Sequence, residues 1–564
     1  MRHFPFVLGM TVLSFMFFIL LFAAIGFGAG LSLMPLQIWL AAAASGGFAF
    51  AMVRFYYHED CWRFFAGSIG AAIVLVYACM LLSGLFYDIS YDGQVYHQEA
   101  VIQLAHHWNP FCRYLTKEQS PSAMLLNHYA KGPWIYEAAL YAVTGQIEQS
   151  KAFNLLMLIA SFLLAFAALR NRQRCGRREA LFFSALLALN PVSVYQSLSF
   201  YIDGQLASLL LCLAALSYQM AGRYDGFVLA GFIMSIALLA NVKFTGIVYA
   251  VACVGLLGGW LLLLKKKNAC RDLGKASFLA LVTGICLLGY NPYMTNSFFY
   301  GHPFYPLYGG GPNAMDIMTS NSPKGFSQMS RIEKWYAANF FGATNQIERE
   351  EPAVKWPFSL TAQELRPFVY GADIRIGGFG PWFSGMLIIS GMLLPVLLKC
   401  GKQEALYGVG AVACMMLTAL INPEFWWARY VPQIWLSVIS LSFAARLQPQ
   451  KSIRCLGNAL AGAAVVNLLL VSCPYILGNY YCTQAVKQQL REMAASHNPV
   501  RVYFGEFTSS HVRFAEYPIA FTDTGADCAD RNIEVLRYQY LTAPAKQAAL
   551  AAIFTKERMD EHEE

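Results

Sequence analysis

Charge is what this sequence has least of. Of its 564 residues, 13% are Asp, Glu, Lys or Arg and 57% are hydrophobic, where a soluble protein would carry about 25% charged residues. That composition excludes a soluble globular fold of this length. The fourteen cysteines form no CxxC pair and no Cys/His spacing, which excludes a recognisable zinc or haem site. There is no internal repeat and no low-complexity tract. No convincing cleavage site follows the first apolar run, 4–27. That run is also too long for a signal-peptide core, so it reads as a retained helix. The net charge of +8 is not a nucleic-acid signature, because the cations sit mainly in short loops between apolar runs, as cytoplasmic loops do.

What is present is a series of apolar runs near twenty residues long. With backbone groups satisfied inside each helix, as lipid demands, they predict an all-α polytopic membrane protein. Runs near 4–27, 33–53, 64–87, 151–169, 179–198, 204–221, 226–241, 246–264, 276–292, 380–398, 405–421, 431–445 and 455–478 give about thirteen spans. The loops holding Arg54 and Arg63, then Arg170, Arg172, Arg174, Arg177 and Arg178, then Arg223, then Lys265 to Lys275, then Lys399 and Lys402, then Arg446, Lys451 and Arg454 are assigned to the cytoplasm. The N-terminus is then inside and residues 479–564 are outside. The expected division is a transmembrane domain over 1–478, with external loops 88–149 and 293–379, and a small extracytoplasmic α/β domain over 479–564. The short Arg-rich loops lean towards a bacterial inner membrane. Residues 93–107, ended by Trp108-Asn109-Pro110, and 133–144 read as amphipathic helices lying in the interface. Arg501 to Phe504 alternates like a strand, 543–557 looks helical, and Cys482 and Cys528 could pair in an oxidising compartment.

This topology puts every chemically interesting cluster on one face. The stretch Asp88-Ile89-Ser90-Tyr91-Asp92-Gly93-Gln94-Val95-Tyr96-His97-Gln98-Glu99 follows the third apolar run and places acid/base groups at the lipid–water boundary. The bland reading is a polar cap and surface loop. Asp88 and Asp92 stand at i, i+4 and could hold a divalent cation, magnesium or manganese, through oxygen ligands. Asp203 and Gln205 open a helix at the same face, where Asp203 would equally serve as an N-cap. Lys243, between two apolar runs, either snorkels or serves as a boundary cation for an anionic ligand. Around Gly301-His302-Pro303-Phe304-Tyr305-Pro306, His302 and Tyr305 could contact sugar hydroxyls or phosphate, or belong to a rigid aromatic lid. In Glu424 to Tyr430 the aromatics, Tyr430 included, suit an interfacial belt, while the Arg429 fork suits bidentate phosphate binding. The stretch 293–379 also carries Trp335, Lys355, Trp356, Arg366, Asp373 and Arg375 without showing which of them point inward.

Asp92-x-x-x-Tyr96, entering an amphipathic helix just after a membrane exit, resembles the first external loop of the GT-C superfamily of glycosyltransferases, which includes protein O-mannosyltransferases and the bacterial aminoarabinose transferase. Their pattern is Asp-Glu-x-x-Tyr; here Gly93 stands in place of the Glu. Lys243-Phe244-Thr245-Gly246 is similar to the superfamily's Lys-x-x-Gly, 301–306 to its Gly-(Asn/His)-Pro-x-Tyr-Pro, and Arg429-Tyr430 to its late Arg-Tyr. The resemblance implies a polyprenyl-phosphate sugar donor and a glycan, lipid or protein acceptor. It implies Asp92 as the base on the acceptor, with Asp88, Tyr96, His97, Asp203, Gln205, Lys243, His302, Tyr305, Arg429 and Tyr430 around the substrates. Two other readings stay open. One is a flippase for lipid-linked sugar; the lack of a repeat and the clustering of ionisable groups at one boundary weigh against it. The other is an O-antigen-type polymerase or ligase, which would release a pyrophosphate.

Overall fold

A helix that is apolar on every side belongs in an interior, and Phe4–Gly28 is such a helix. It is buried over most of its length and packs against Pro35–Tyr57, Cys61–Gly84, Ala152–Asn171 and Gly226–Val242. Other helices show the opposite: Trp39, Trp62, Val74, Leu263 and Phe278 are large, apolar and more than 60% exposed. Water penalises such a belt and hydrocarbon does not. In the computed structural model, which describes residues 3–171, 175–222, 224–307, 321–345, 354–400, 402–495, 499–523 and 536–537, the chain is therefore a helical, polytopic membrane protein. Among the described residues six helical stretches are long and apolar enough to cross a bilayer: Phe4–Gly28, Pro35–Gly84 (through Pro35–Tyr57 and Cys61–Gly84), Ile147–Asn171 (ending in Ala152–Asn171), Phe244–Leu263, Phe383–Cys400 and Lys451–Ala495. A seventh joins them if Lys267–Leu288 and Tyr290–Tyr300, bent by 82°, count as one span. Helices Arg177–Ala188, Asp203–Met220, Gly226–Val242, Gln403–Ile421 and Gln433–Arg446 stand at the remaining apolar runs.

Several boundaries move. The third span ends at Gly84. The run expected to reach residue 198 stops as a helix at Ala188, because Pro191 cannot continue it; the Asn190 side chain then accepts from Val192 N and starts the short helix Pro191–Tyr195. The last helix does not stop near 478 but runs from Lys451 to Ala495 through Pro474. The amphipathic segment 93–107 is a π-helical turn, Gly93–His97, followed by the α-helix Gln98–Ala105. Its partner is Gly132–Thr144. Both are largely enclosed by protein, with Gln98–Ile102 and Gly132–Leu140 buried, because they pack on each other, the bundle packs on Gly132–Thr144 and the C-terminal segment packs on Gln98–Ala105.

That C-terminal segment forms a three-stranded parallel sheet, ordered β2-β1-β3, from Val500–Tyr503 (β1), Phe521–Asp523 (β2) and Leu536–Arg537 (β3). The expected strand is present. The expected helix 543–557, Cys528, and the loop cations Arg172, Arg174 and Arg223 lie outside the described residues, while Cys482 is buried. Before β2, the chain docks on the segment 88–149. Arg513, 1% exposed, donates to Asp88 O at 2.7 Å, Glu148 Oε1 at 2.9 Å and Gln94 Oε1 at 3.2 Å. Ser509 donates to Gln94 O, Thr508 to Glu99, and Tyr91 to Glu506.

Candidate active site

The loop that carries Asp92 is built on Asp88. Asp88 is fully buried and accepts from Ser90 N at 2.8 Å and Ser90 Oγ at 2.6 Å on one oxygen, and from Phe200 N at 2.9 Å on the other. Burial pushes its carboxyl up, against the pull of Lys151. A Cβ on Gly93 would sit 2.0 Å from Asp88 Oδ2 and 2.2 Å from Ser90 Oγ. Only glycine fits at this position, and the space is filled by the carboxylate five residues earlier. Asp88 is thereby spent on the loop's shape and does not join Asp92 as a facing pair.

Asp92 itself keeps a quarter of its side chain exposed. Tyr96 Oη donates to Asp92 Oδ2 at 3.3 Å, and Arg429 Nη1 lies 3.6 Å from the same oxygen. Asp203, the first residue of the helix Asp203–Met220, does not cap it. Its Oδ1 accepts from Lys243 Nζ at 2.8 Å, and its Oδ2 lies 3.4 Å from Gln196 Nε2 and 3.9 Å from Arg429 Nη1. Lys243 occupies an extended residue between helices Gly226–Val242 and Phe244–Leu263. The break folds tightly: a Cβ on Gly246 would lie 2.2 Å from Leu239 O, which gives the Lys-x-x-Gly spacing a steric cause. Lys243 then extends over the Tyr430 ring at 4.2 Å.

Arg429 is the hub. Its guanidinium lies 4.3 Å from the Trp427 ring, 5.0 Å from Tyr430 and 5.8 Å from Tyr201. Its Nη2 donates to Tyr430 Oη at 3.3 Å. Its Nε edge lies 3.2 Å from Asp373 Oδ1. The loop behind it is pinned by Tyr249 Oη, which donates to Tyr430 O at 2.6 Å and accepts from Asn422 at 2.8 Å. His97 is buried against Tyr96, Tyr201 and Trp134, and Trp134 Nε1 donates to His97 Nδ1 at 2.7 Å. Burial pushes its imidazole down to about 3, so His97 is neutral over the physiological range. It forms part of the aromatic wall.

The structure thus brings together Asp92, Tyr96, His97, Asp203, Lys243, Arg429 and Tyr430 from segments spread over more than three hundred residues. Asp88 lies behind this group. So does Gln205, buried and bonded to Tyr136 and Glu137. His302 and Tyr305 belong to a neighbouring aromatic cluster, with Tyr305 stacked on Tyr300 at 4.2 Å and edge-on to His128 at 4.9 Å. It touches the site's surroundings through Phe304, whose ring is 5.6 Å from Phe244. Asp373 and Arg375 enter the site or its edge; the sequence named both within 293–379 without showing which residues there point inward. Their one signal is that Asp373-Ile374-Arg375 is the last charged pair before the apolar helix Phe383–Cys400.

An apolar cavity of about 310 Å³ lies between helices Ala152–Asn171, Asp203–Met220, Phe244–Leu263, Gln403–Ile421 and Gln433–Arg446; its lining includes Gln433, four residues past Arg429. Among the described residues no group of three or more His, Cys, Asp or Glu side chains stands together as a metal site. Chemically, the arrangement pairs a solvent-touched carboxylate with two cations on an aromatic floor. Such a chamber can hold an anion and take a proton beside it.

No protein-family model and no curated protein matches the chain. Among solved structures it is similar to ArnT from Cupriavidus metallidurans bound to undecaprenyl phosphate, at 13% identity and a TM-score of 0.37, over 81% of this chain and 86% of that one. It is also similar to the apo state of the same ArnT, at 14% identity and a TM-score of 0.37, over 86% and 88% of the two chains.

Proposed function

We propose that this chain is a membrane glycosyltransferase of the GT-C type. It moves a sugar from a polyprenyl-phosphate donor to a glycan, lipid or protein acceptor at the extracytoplasmic face of a bacterial inner membrane. The observation that carries the reading is the approach of Asp92 to Arg429, 3.6 Å apart and 337 positions apart in sequence, with Lys243 held in the same cluster by Asp203. Arg429 and Lys243 bind the donor phosphate. Asp92 takes the proton of the acceptor hydroxyl or amine as its oxygen or nitrogen attacks the anomeric carbon. The bond from that carbon to the phosphate oxygen breaks, and the electron pair stays on the phosphate, where the two cations stabilise it. The apolar cavity beyond Gln433 suits part of an isoprenoid chain.

The test is transfer from an undecaprenyl-phosphate sugar by the purified protein in proteoliposomes, with and without magnesium or manganese, beside the Asp92→Asn variant. Transfer that needs Asp92 supports the reading. Full activity in the variant removes the mechanism. Lipid translocation without product supports a flippase, and release of a lipid pyrophosphate supports a polymerase or ligase.

A further inference from the structure

We propose that Asp373 gates the Arg429 phosphate site by protonation: it holds the guanidinium while ionised and releases it on taking a proton, so donor binding takes up a proton. This rests on Arg429 being the donor's phosphate ligand. Of the three carboxylates near Arg429, Asp373 is nearest, at 3.2 Å against 3.6 Å for Asp92 and 3.9 Å for Asp203. It occupies the Nε edge, one side of the fork a phosphate would use bidentately.

The other two carboxylates have other partners. Asp203 is bonded to Lys243 at 2.8 Å. Asp92 accepts from Tyr96 and is the most exposed of the three. Arg375, 3.7 Å from Asp373, is already committed: it donates to Asn321 O and to Asn345 Oδ1, each at 2.8 Å, and lies over Trp427. The groups that face Asp373 are therefore Arg429, Arg375, Asp92 and Asp203, with the Tyr195 and Tyr201 hydroxyls.

Counted together, Asp92, Asp203 and Asp373 balance Lys243, Arg429 and Arg375. A phosphodiester adds one negative charge to a buried, already neutral cluster, and one proton on a carboxylate restores the balance. Asp373 is the economical place for it. Its Oδ1 is buried, and Arg429 Nε at 3.2 Å approaches it as an ion pair outside hydrogen-bond geometry. Burial pushes its carboxyl above the usual range, Arg429 and Arg375 pull the other way, and Asp92 and Asp203 add to the rise. Removing the Arg429 contact to a phosphate removes one of the two cations that keep it ionised. The proton comes from bulk water on binding and returns there when the lipid phosphate leaves.

The experiment is the affinity of the full-length protein in nanodiscs for a fluorescent farnesyl methyl phosphodiester between pH 5.5 and 8.5. This probe has a single, strongly acidic ionisation, so its own charge is constant across the range. For the wild type the Kd should rise with pH, by up to about tenfold per unit above the carboxyl's own titration, as linkage of one proton requires. Asp373→Asn, neutral at every pH, should flatten the profile and bind about tenfold or more tighter than wild type at the alkaline end. A second measurement needs no variant: binding heats in two buffers of different ionisation enthalpy should report uptake approaching one proton. A flat wild-type profile, zero proton uptake, or an unchanged slope in Asp373→Asn overturns the gate. Failure of the underlying reading looks different: no binding at any pH, or wild-type affinity in Arg429→Ala.

Discussion

Two charged pockets lie within a few residues of each other, and they are built on opposite plans. Around Asp88, the buried groups Glu148, Lys151 and Arg513 close a network in which the contacts are short: Arg513 reaches Glu148 at 2.9 Å, Asp88 N donates to Glu148 at 2.9 Å, and Lys151 bonds both Glu148 and Phe86 O. Around Asp92, Arg429 meets its carboxylates at 3.2–3.9 Å, and aromatic faces complete its surroundings. The first plan satisfies buried charge within the protein, the condition for burying it at all. The second leaves a cation with capacity to spare. The two clusters are told apart by how completely their members bond each other.

The comparison can be broken by substitutions on its two sides. Asp92→Asn should lower transfer by about 10²–10⁴-fold while leaving the melting temperature in detergent within a degree or two; equal losses of both would merge the two pockets. Next is Arg429→Lys, which keeps the charge and loses the fork. It should lower kcat/KM by about tenfold or more, with KM for the lipid donor carrying most of the change. On the structural side, Asp88→Asn should cost about 1–3 kcal/mol of stability by turning an amide towards Phe200 N, read as a lower melting temperature, with turnover per folded molecule close to wild type. Gly93→Ala should cost about 1–3 kcal/mol through overpacking. Combining it with Asp88→Ala should recover part of that cost, a coupling expected only if the two side chains compete for one space. The smallest change is expected for His302→Ala, within about threefold in transfer, since its ring lies against Tyr305 in the neighbouring aromatic cluster.

Much of this was legible beforehand, for a physical reason. A bilayer forces apolar runs to be helices and pushes charge to their ends, so the positions of the long helices, and of Asp92, Asp203, Lys243 and Arg429 near helix ends, follow from hydropathy and a few short motifs. Three things did not follow. Asp88 and Asp92 look alike in sequence; only the packing of Gly93 against Asp88 separates them. Gln205 sits two residues after Asp203, yet half a helical turn carries it to Tyr136 and Glu137. Asp373 lies in a stretch with no periodicity to say which residues face inward, and its role depends wholly on Arg429, a partner far along the chain. Local pattern cannot encode contacts of that separation.

The bond from Arg513 to the carbonyl of Asp88 joins residues 425 positions apart, and it closes the back of the loop whose front bears Asp92. Every long helix precedes Arg513 in the chain, so this fastening is the last of the loop's contacts to become available during synthesis, and the final shape of the loop waits on the segment that follows Lys451–Ala495.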